Sequence, residues 1–184
     1  MTEIRPFPEH EMSEADLLHY AQHRHALSKQ RQQMNRALRS VMTPLLRRHG
    51  FTGTCPRYRR LGTEQFDLLM FLFNKHHPSF LIQIGRCSPD WWQRELGDAI
   101  PPVPPEKLDP TYLAVPMRVL VTATHTPSTP VAFVDCFQYG DAKAPEDHRR
   151  IAESVVPFTE RAVKMFDDFE AIPKPKGWPS TIRA

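Results

Sequence analysis

Residues 19–25 read HYAQHRH, three histidines in seven positions, two of them four apart. On a helix, at about 100° per residue, Asp16, His19 and His23 fall within roughly 60° of one another. Imidazoles at i and i+4 beside a carboxylate form a geometry that zinc or nickel accepts. Two histidines from one helix supply only half of such a site, however. His23 also borders the stripe of Tyr20 and Leu27, where an imidazole packs at a boundary. The expectation is an ordinary helix face, with no metal and no cofactor.

Other residues compete for a chemical role. His76 and His77 fall in the turn-like stretch KHHP, and with Asp90 or Glu95 nearby such a pair could exchange protons near neutral pH. A solvated turn explains them equally. Asp135, in VAFVDCFQY, is read as the one acid inside an otherwise apolar strand, its flanks Phe133 and Phe137 pointing the same way. Burial would perturb its carboxyl, and Arg118 on the neighbouring strand is an equally good structural partner. The segment DWWQRE carries Trp91, Trp92 and Arg94, residue types enriched at interface hot spots, either as an exposed recognition surface or as a lid on the core edge. The chain shows no Walker loop, GxGxxG, GxSxG, HExxH or paired-carboxylate pattern.

Charge is distributed unevenly. The net charge is +3, yet no acid occurs between Leu17 and Thr63, a stretch that holds Arg24, Lys29, Arg31, Arg36, Arg39, Arg47, Arg48, Arg57, Arg59 and Arg60. Residues 24–60, with Tyr58 set among arginines in RYRR, could meet phosphates. The apolar positions Met34, Leu38, Val41 and Leu45 occupy one side of the same segment, and the cations are read as spread over the remaining faces. No helix-turn-helix, RNP or zinc-finger signature accompanies them, so a solvated face is the plainer reading.

The elements that must position these residues follow from the periodicity. Ser13 with Glu14 and Asp16 makes a helix N-cap with first-turn acids, and Gly50 stands where a C-cap glycine ends a run. One long helix or two consecutive ones are predicted from Glu14 to His49, with a kink or break at 41–43 because Pro44 removes a backbone donor. Phe51 to Leu61 reads as one strand and LGTEQ as a turn. FDLLMFLFN (66–74) reads as a central strand covered on both faces, and SFLIQIG (79–85) as an alternating strand. Strands resume at TYLAVPMRVLVTAT and VAFVDCFQY. The last helix starts near Pro145 with Ile151, Val155, Phe158, Ala162, Phe166 and Phe169 inward, and Pro157 bends or splits it.

The fold class expected is therefore α+β: an antiparallel meander of about five strands packed by a long N-terminal helix, or helix pair, and a C-terminal helix. A single domain over 1–184 is predicted, with a flexible N-terminus (1–12), a proline-rich surface loop (88–110) bearing a helical turn near Trp91 to Leu96, and an irregular tail (173–184). Cys55, Cys87 and Cys136 lack CxxC spacing and are expected to be idle thiols. The acidic, proline-bearing start is unlike a signal peptide and no apolar run is long enough for a bilayer, so no membrane partner and a cytoplasmic location are expected.

LLRRHGF (45–51), RYRRL (57–61) and FLFNKHHPSFLIQIGR (71–86) together resemble the bacterial domain-of-unknown-function family 4304. Its members share a helix ending in a Leu-Leu, basic, Gly-Phe sequence, an Arg-rich first strand and two apolar strands ending in Gly. The likeness spans roughly 30–90 and is looser at the C-terminal helix. It implies a small stand-alone cytoplasmic protein of the immunity or interaction type, and transfers no catalytic residue.

Three functions are compatible with these residues. The first is a non-enzymatic protein-binding module, of a kind that blocks a toxin, contacting an unidentified protein partner through Trp91, Trp92, Arg94, Arg57, Arg59 and Arg60. The second is nucleic-acid binding through 24–60. The third is a small-molecule or enzymatic domain using His76, His77 or Asp135. The oligomeric state is left open.

Overall fold

The computed structural model of the chain describes residues 14–89, 104–113, 118–121 and 136–167, with the backbone alone described at 14–24, 118–119 and 167. The leading helix, α1 (Glu14–Arg48), is a single helix that runs through Pro44. The expected break at 41–43 is therefore absent. Pro44 and Ser40 are both exposed, so the Ser40 carbonyl that loses its amide partner faces water. Met34, Leu38, Met42, Leu45 and Leu46 hold the opposite side in the core. Val41 packs only against the edge of that core, and Met42 takes the inward place beside it. Gly50 ends the helix as predicted: it has φ 80°, its amide donates to Arg47 and that of Phe51 donates to Leu46.

Six antiparallel strands follow, one more than the expected five: β1 (Thr52–Thr54), β2 (Arg57–Leu61), β3 (Phe66–Phe73), β4 (Ser79–Cys87), β5 (Arg118–Val121) and β6 (Phe137–Gln138). The single strand predicted over 51–61 is instead a tight hairpin. Thr54 pairs with Arg57 across Cys55 and Pro56, and Pro56 has no amide proton to give to a ladder. β1 to β5 lie in chain order, a meander. β6 does not extend it, because β5 and β6 run in the same direction, end to end, on one edge of β4. VAFVDCFQY thus contributes Phe137 and Gln138 to the sheet, and Asp135 lies outside the described residues.

β3 is covered on both faces, as its apolar run requires. On one face Tyr58, Leu69, Phe71, Phe80, Ile82 and Ile84 pack with α1 and two C-terminal helices, α2 (Pro145–Ser154) and α3 (Val156–Asp167). Phe80 is the hub there, stacked on Phe137 at 5.3 Å and tilted onto Phe73 at 5.5 Å. Pro157 splits rather than bends the C-terminal helix, sitting in the first turn of α3 just past the break at Val155. The inward stripe is His148, Ala152, Val155, Thr159, Ala162 and Phe166, while Ile151 and Phe158 flank it. Phe169 lies outside the described residues. On the other face Phe66, Leu68 and Cys87 form a smaller cluster with Leu108 and Leu113. Those two leucines belong to residues 104–113, a strap of two short 3-10 turns laid across the sheet. No helix among the described residues is long and apolar enough to cross a membrane.

The β1–β2 hairpin depends on Gly53, which has φ 99° and whose Cβ, if present, would stand 2.6 Å from the Arg57 carbonyl oxygen. Gly53→Ala is expected to destabilise the fold by about 1–3 kcal/mol, read as a lowered urea midpoint with an unchanged slope. A midpoint equal to the parent's would refute this reading of the turn.

Candidate functional site

Strand alternation sorts the arginines of RYRRL. Tyr58 and Arg60 point to the helix side of the sheet, Arg57, Arg59 and Leu61 to the strap side. Tyr58 is consequently not the exposed aromatic that its setting among arginines suggested. It is buried, its hydroxyl shares a hydrogen bond of 2.8 Å with Thr43 Oγ1, and burial pushes its pKa up to about 12.

Arg60 is committed to the interior. Arg60, Asp67 and Arg86 stand directly opposite one another on β2, β3 and β4. Arg60 Nη2 lies 2.7 Å from Asp67 Oδ2 and Arg86 Nε lies 2.6 Å from Oδ1, while Asp67 itself is only 2% exposed. The Arg60 guanidinium also rests 5.1 Å from the Phe51 ring, the Arg86 guanidinium 5.6 Å from Phe166, and Arg60 Nη1 donates to the His49 carbonyl at the end of α1. A buried acid that sequence reasoning did not single out is present at Asp67. The signal was visible as the single carboxylate in FDLLMFLFN, and it was passed over because the run reads as apolar.

On the strap side Arg57 Nε lies 2.6 Å from Asp109 Oδ2. Asp109 is buried and caps the second 3-10 turn, its Oδ1 accepting from the amide of Thr111 at 2.9 Å and from the Thr111 hydroxyl. Arg57 stays half-exposed, at 53%. Burial depresses the Arg59 pKa, against the opposing pull of Asp109 and Glu106. Arg59 Nε and Gln83 Oε1, both on this face, are buried without a hydrogen-bond partner. Unmet buried polar atoms cost stability. Leu61 and Tyr112 are exposed on the same side, at 43% and 44%.

The remaining candidates separate. His76 and His77 are exposed at the tip of the β3–β4 hairpin, where Asn74 Oδ1 accepts from both of their amides and Arg31 Nη2 donates to the Asn74 carbonyl at 2.7 Å. The tip and the end of β4 at Cys87 are about 27 Å apart along nine residues of strand. The histidine turn therefore does not share a site with the start of the proline-rich loop. His19 and His23 lie on α1, with their side chains outside the described residues, as do Trp91, Trp92, Arg94, Asp90, Glu95 and the side chain of Arg118. No group of three or more metal-ligating side chains occurs among the described residues. On α1 Lys29, Arg36 and Arg47 share one exposed side, with the exposed Arg39 and Arg48 to either side of it and Arg31 half-buried, so the cations spread over the faces that the core leaves.

No family model, curated protein or solved structure matches this chain.

Two outcomes follow from this geometry. Removing the carboxylate in Asp67→Ala leaves two guanidiniums facing each other in a mostly buried site, and is expected to cost about 3 kcal/mol or more in urea unfolding. A cost under about 1 kcal/mol would show the trio to be incidental. The thiols of Cys55 and Cys87 are both pushed up to about 12 by burial. Their thiolates are scarce until pH approaches that value, so iodoacetamide at about pH 8 is expected to leave both unmodified in the native protein and to label them once urea unfolds it. Mass spectrometry reads the difference, and labelling of either in the native state would contradict it.

Proposed function

We propose that this chain is a non-enzymatic protein-binding module whose contact surface is the strap side of the sheet. The observation that carries this reading is the half-exposed Arg57, its guanidinium held in place by the buried Asp109, with Tyr112 and Leu61 exposed on the same face. An arginine fixed by a buried partner loses little side-chain freedom on binding, and Arg and Tyr are the types that dominate interface energetics. Trp91, Trp92 and Arg94 join this reading by residue type, in the sequence between Cys87 and Leu108, which belong to one apolar cluster. Core acids and thiols are meanwhile engaged in ion pairs or in burial, which suits a scaffold better than a reaction centre. The resemblance to the uncharacterised bacterial family supports the narrower reading, an immunity-type protein acting in the cytoplasm that blocks a toxin by covering its surface.

The test is a tagged pull-down of the full chain from native cell extract, washed at high salt, beside the variant Leu61→Ala/Tyr112→Ala. The parent is expected to retain one stoichiometric protein, and the variant, with an unchanged circular dichroism spectrum, to lose it. Equal retention by both, or no retained protein with either, would end this reading.

A further inference from the structure

The cations of the acid-free stretch differ in their surroundings: Arg31 donates to the Asn74 carbonyl, Arg59 is half-buried and Arg48 is exposed on another side of α1. Arg57 and Arg60 have carboxylate partners, Asp109 and Asp67. Lys29, Arg36, Arg39 and Arg47 on α1 are exposed and take part in no ion pair among the described residues. At about 100° per residue Lys29, Arg36 and Arg47 fall within roughly 20° of one another, with Arg39 about 60° around the helix from Arg36. This stripe lies opposite the buried line of Met34, Leu38 and Leu45. At about 1.5 Å per residue it extends over roughly 27 Å, with cations at intervals of about 10, 5 and 12 Å.

We infer that this face of α1 is a docking surface for the phosphate backbone of double-stranded nucleic acid. Charge complementarity is the first ground: a row of unpaired cations with no carboxylate anywhere between Leu17 and Thr63 meets a polyanion without like-charge cost. The neighbours of those cations choose among polyanions. Between Lys29 and Arg47 the same face is completed by the polar Gln32, Gln33, Ser40 and Thr43, with the exposed Pro44 and half-buried Ala37 at one margin. An acidic protein partner would want an apolar centre to desolvate, and the centre of this stripe is polar, its apolar residues confined to one margin. Single strands are held by aromatic side chains on which bases stack, and none stands among these positions. Guanidinium and ammonium groups spaced along a rigid rod suit backbone contacts that position a duplex and read no base. The surface is distinct from the strap side of the sheet, and the inference does not rest on that reading.

The experiment measures binding of the full chain to a fluorescent duplex of about 24 base pairs, by anisotropy, between about 50 and 300 mM KCl. Four neutralised phosphates predict a slope of log K against log salt of about −3 to −4. The variant Arg36→Gln/Arg39→Gln/Arg47→Gln, checked for an unchanged thermal midpoint, is expected to bind at least about 30-fold more weakly at 100 mM and to lose about 2.7 of that slope. Arg36→Lys/Arg39→Lys/Arg47→Lys is expected to restore most of it, since charge and not fork geometry carries a backbone contact. Arg149→Gln/Arg150→Gln, which removes exposed α2 arginines paired with Glu153 and Asp147, should bind like the parent. Absence of binding at the lowest salt, or a glutamine variant that binds like the parent, overturns the inference. Poly-L-glutamate competing as well as duplex at equal charge also overturns it, and would reassign the face to an acidic polypeptide.

Discussion

Asp67 is a carboxylate almost wholly withdrawn from water in the middle strand of the sheet, and the fold is arranged around keeping it paired. Its two oxygens take one guanidinium each from the flanking strands, and the three residues stand in one row across β2, β3 and β4. A lone buried carboxylate would be prohibitively expensive, so the row must form whenever the sheet forms. That is a strong constraint on register. A slip of one residue between any two of these strands would carry the acid and its arginines to opposite faces. Apolar pairing alone would not discriminate as sharply, because β3 is apolar on both faces and a shifted β3 would still bury leucine and phenylalanine.

The same trio ties the layers together. Arg60 reaches the last carbonyls of α1 through His49, and Arg60 and Arg86 both lie over Phe166 of α3. One ionic cluster thereby reports on the sheet, the end of the first helix and the end of the last. On the opposite face the Arg57–Asp109 pair performs a smaller version of this task, clamping the strap to β2. The two arginines differ in what they leave to solvent. Arg60, 32% exposed, spends its guanidinium on Asp67, the His49 carbonyl and two rings, while Arg57 keeps half its surface outside and is held from behind, which is why it suits a contact role better.

Much of this was legible in the sequence wherever periodicity or chain geometry dictated structure. The Gly50 terminus of α1, the doubly covered β3 and the alternation of β4 followed from residue pattern alone, as did the α+β class. What escaped reading depended on contacts between elements far apart in the chain. Pro44 breaks nothing because the side on which it lies is exposed, and only tertiary packing decides that side. Tyr58 among arginines reads as a surface aromatic until strand pairing shows which way it points. Asp67 within an apolar run resembles noise until Arg60 and Arg86 arrive from the strands on either side. The β1–β2 hairpin was hidden by its brevity, since a two-residue turn leaves too short a pattern on each side to separate from one strand.

The acid-free stretch from Leu17 to Thr63 gains its meaning from where its carboxylate partners come from. Acids flank it on both sides in the chain, and among the described residues the later ones reach only certain cations. Asp67 is brought beside Arg60 by strand pairing and Asp109 beside Arg57 by the strap. The outward face of α1 points away from the sheet and the α2–α3 pair, which pack on its other side, and the strap lies across the far face of the sheet. Acids on α1 at i+3 or i+4 would also neutralise its arginines, and the sequence places none there. A partnered arginine in this protein is thus one that the fold can reach, and the charge left over on α1 is a consequence of topology as much as of composition. Uncompensated charge of one sign along one exposed helix face is a long-range field directed outward, and it acts on whatever approaches that side before any contact forms.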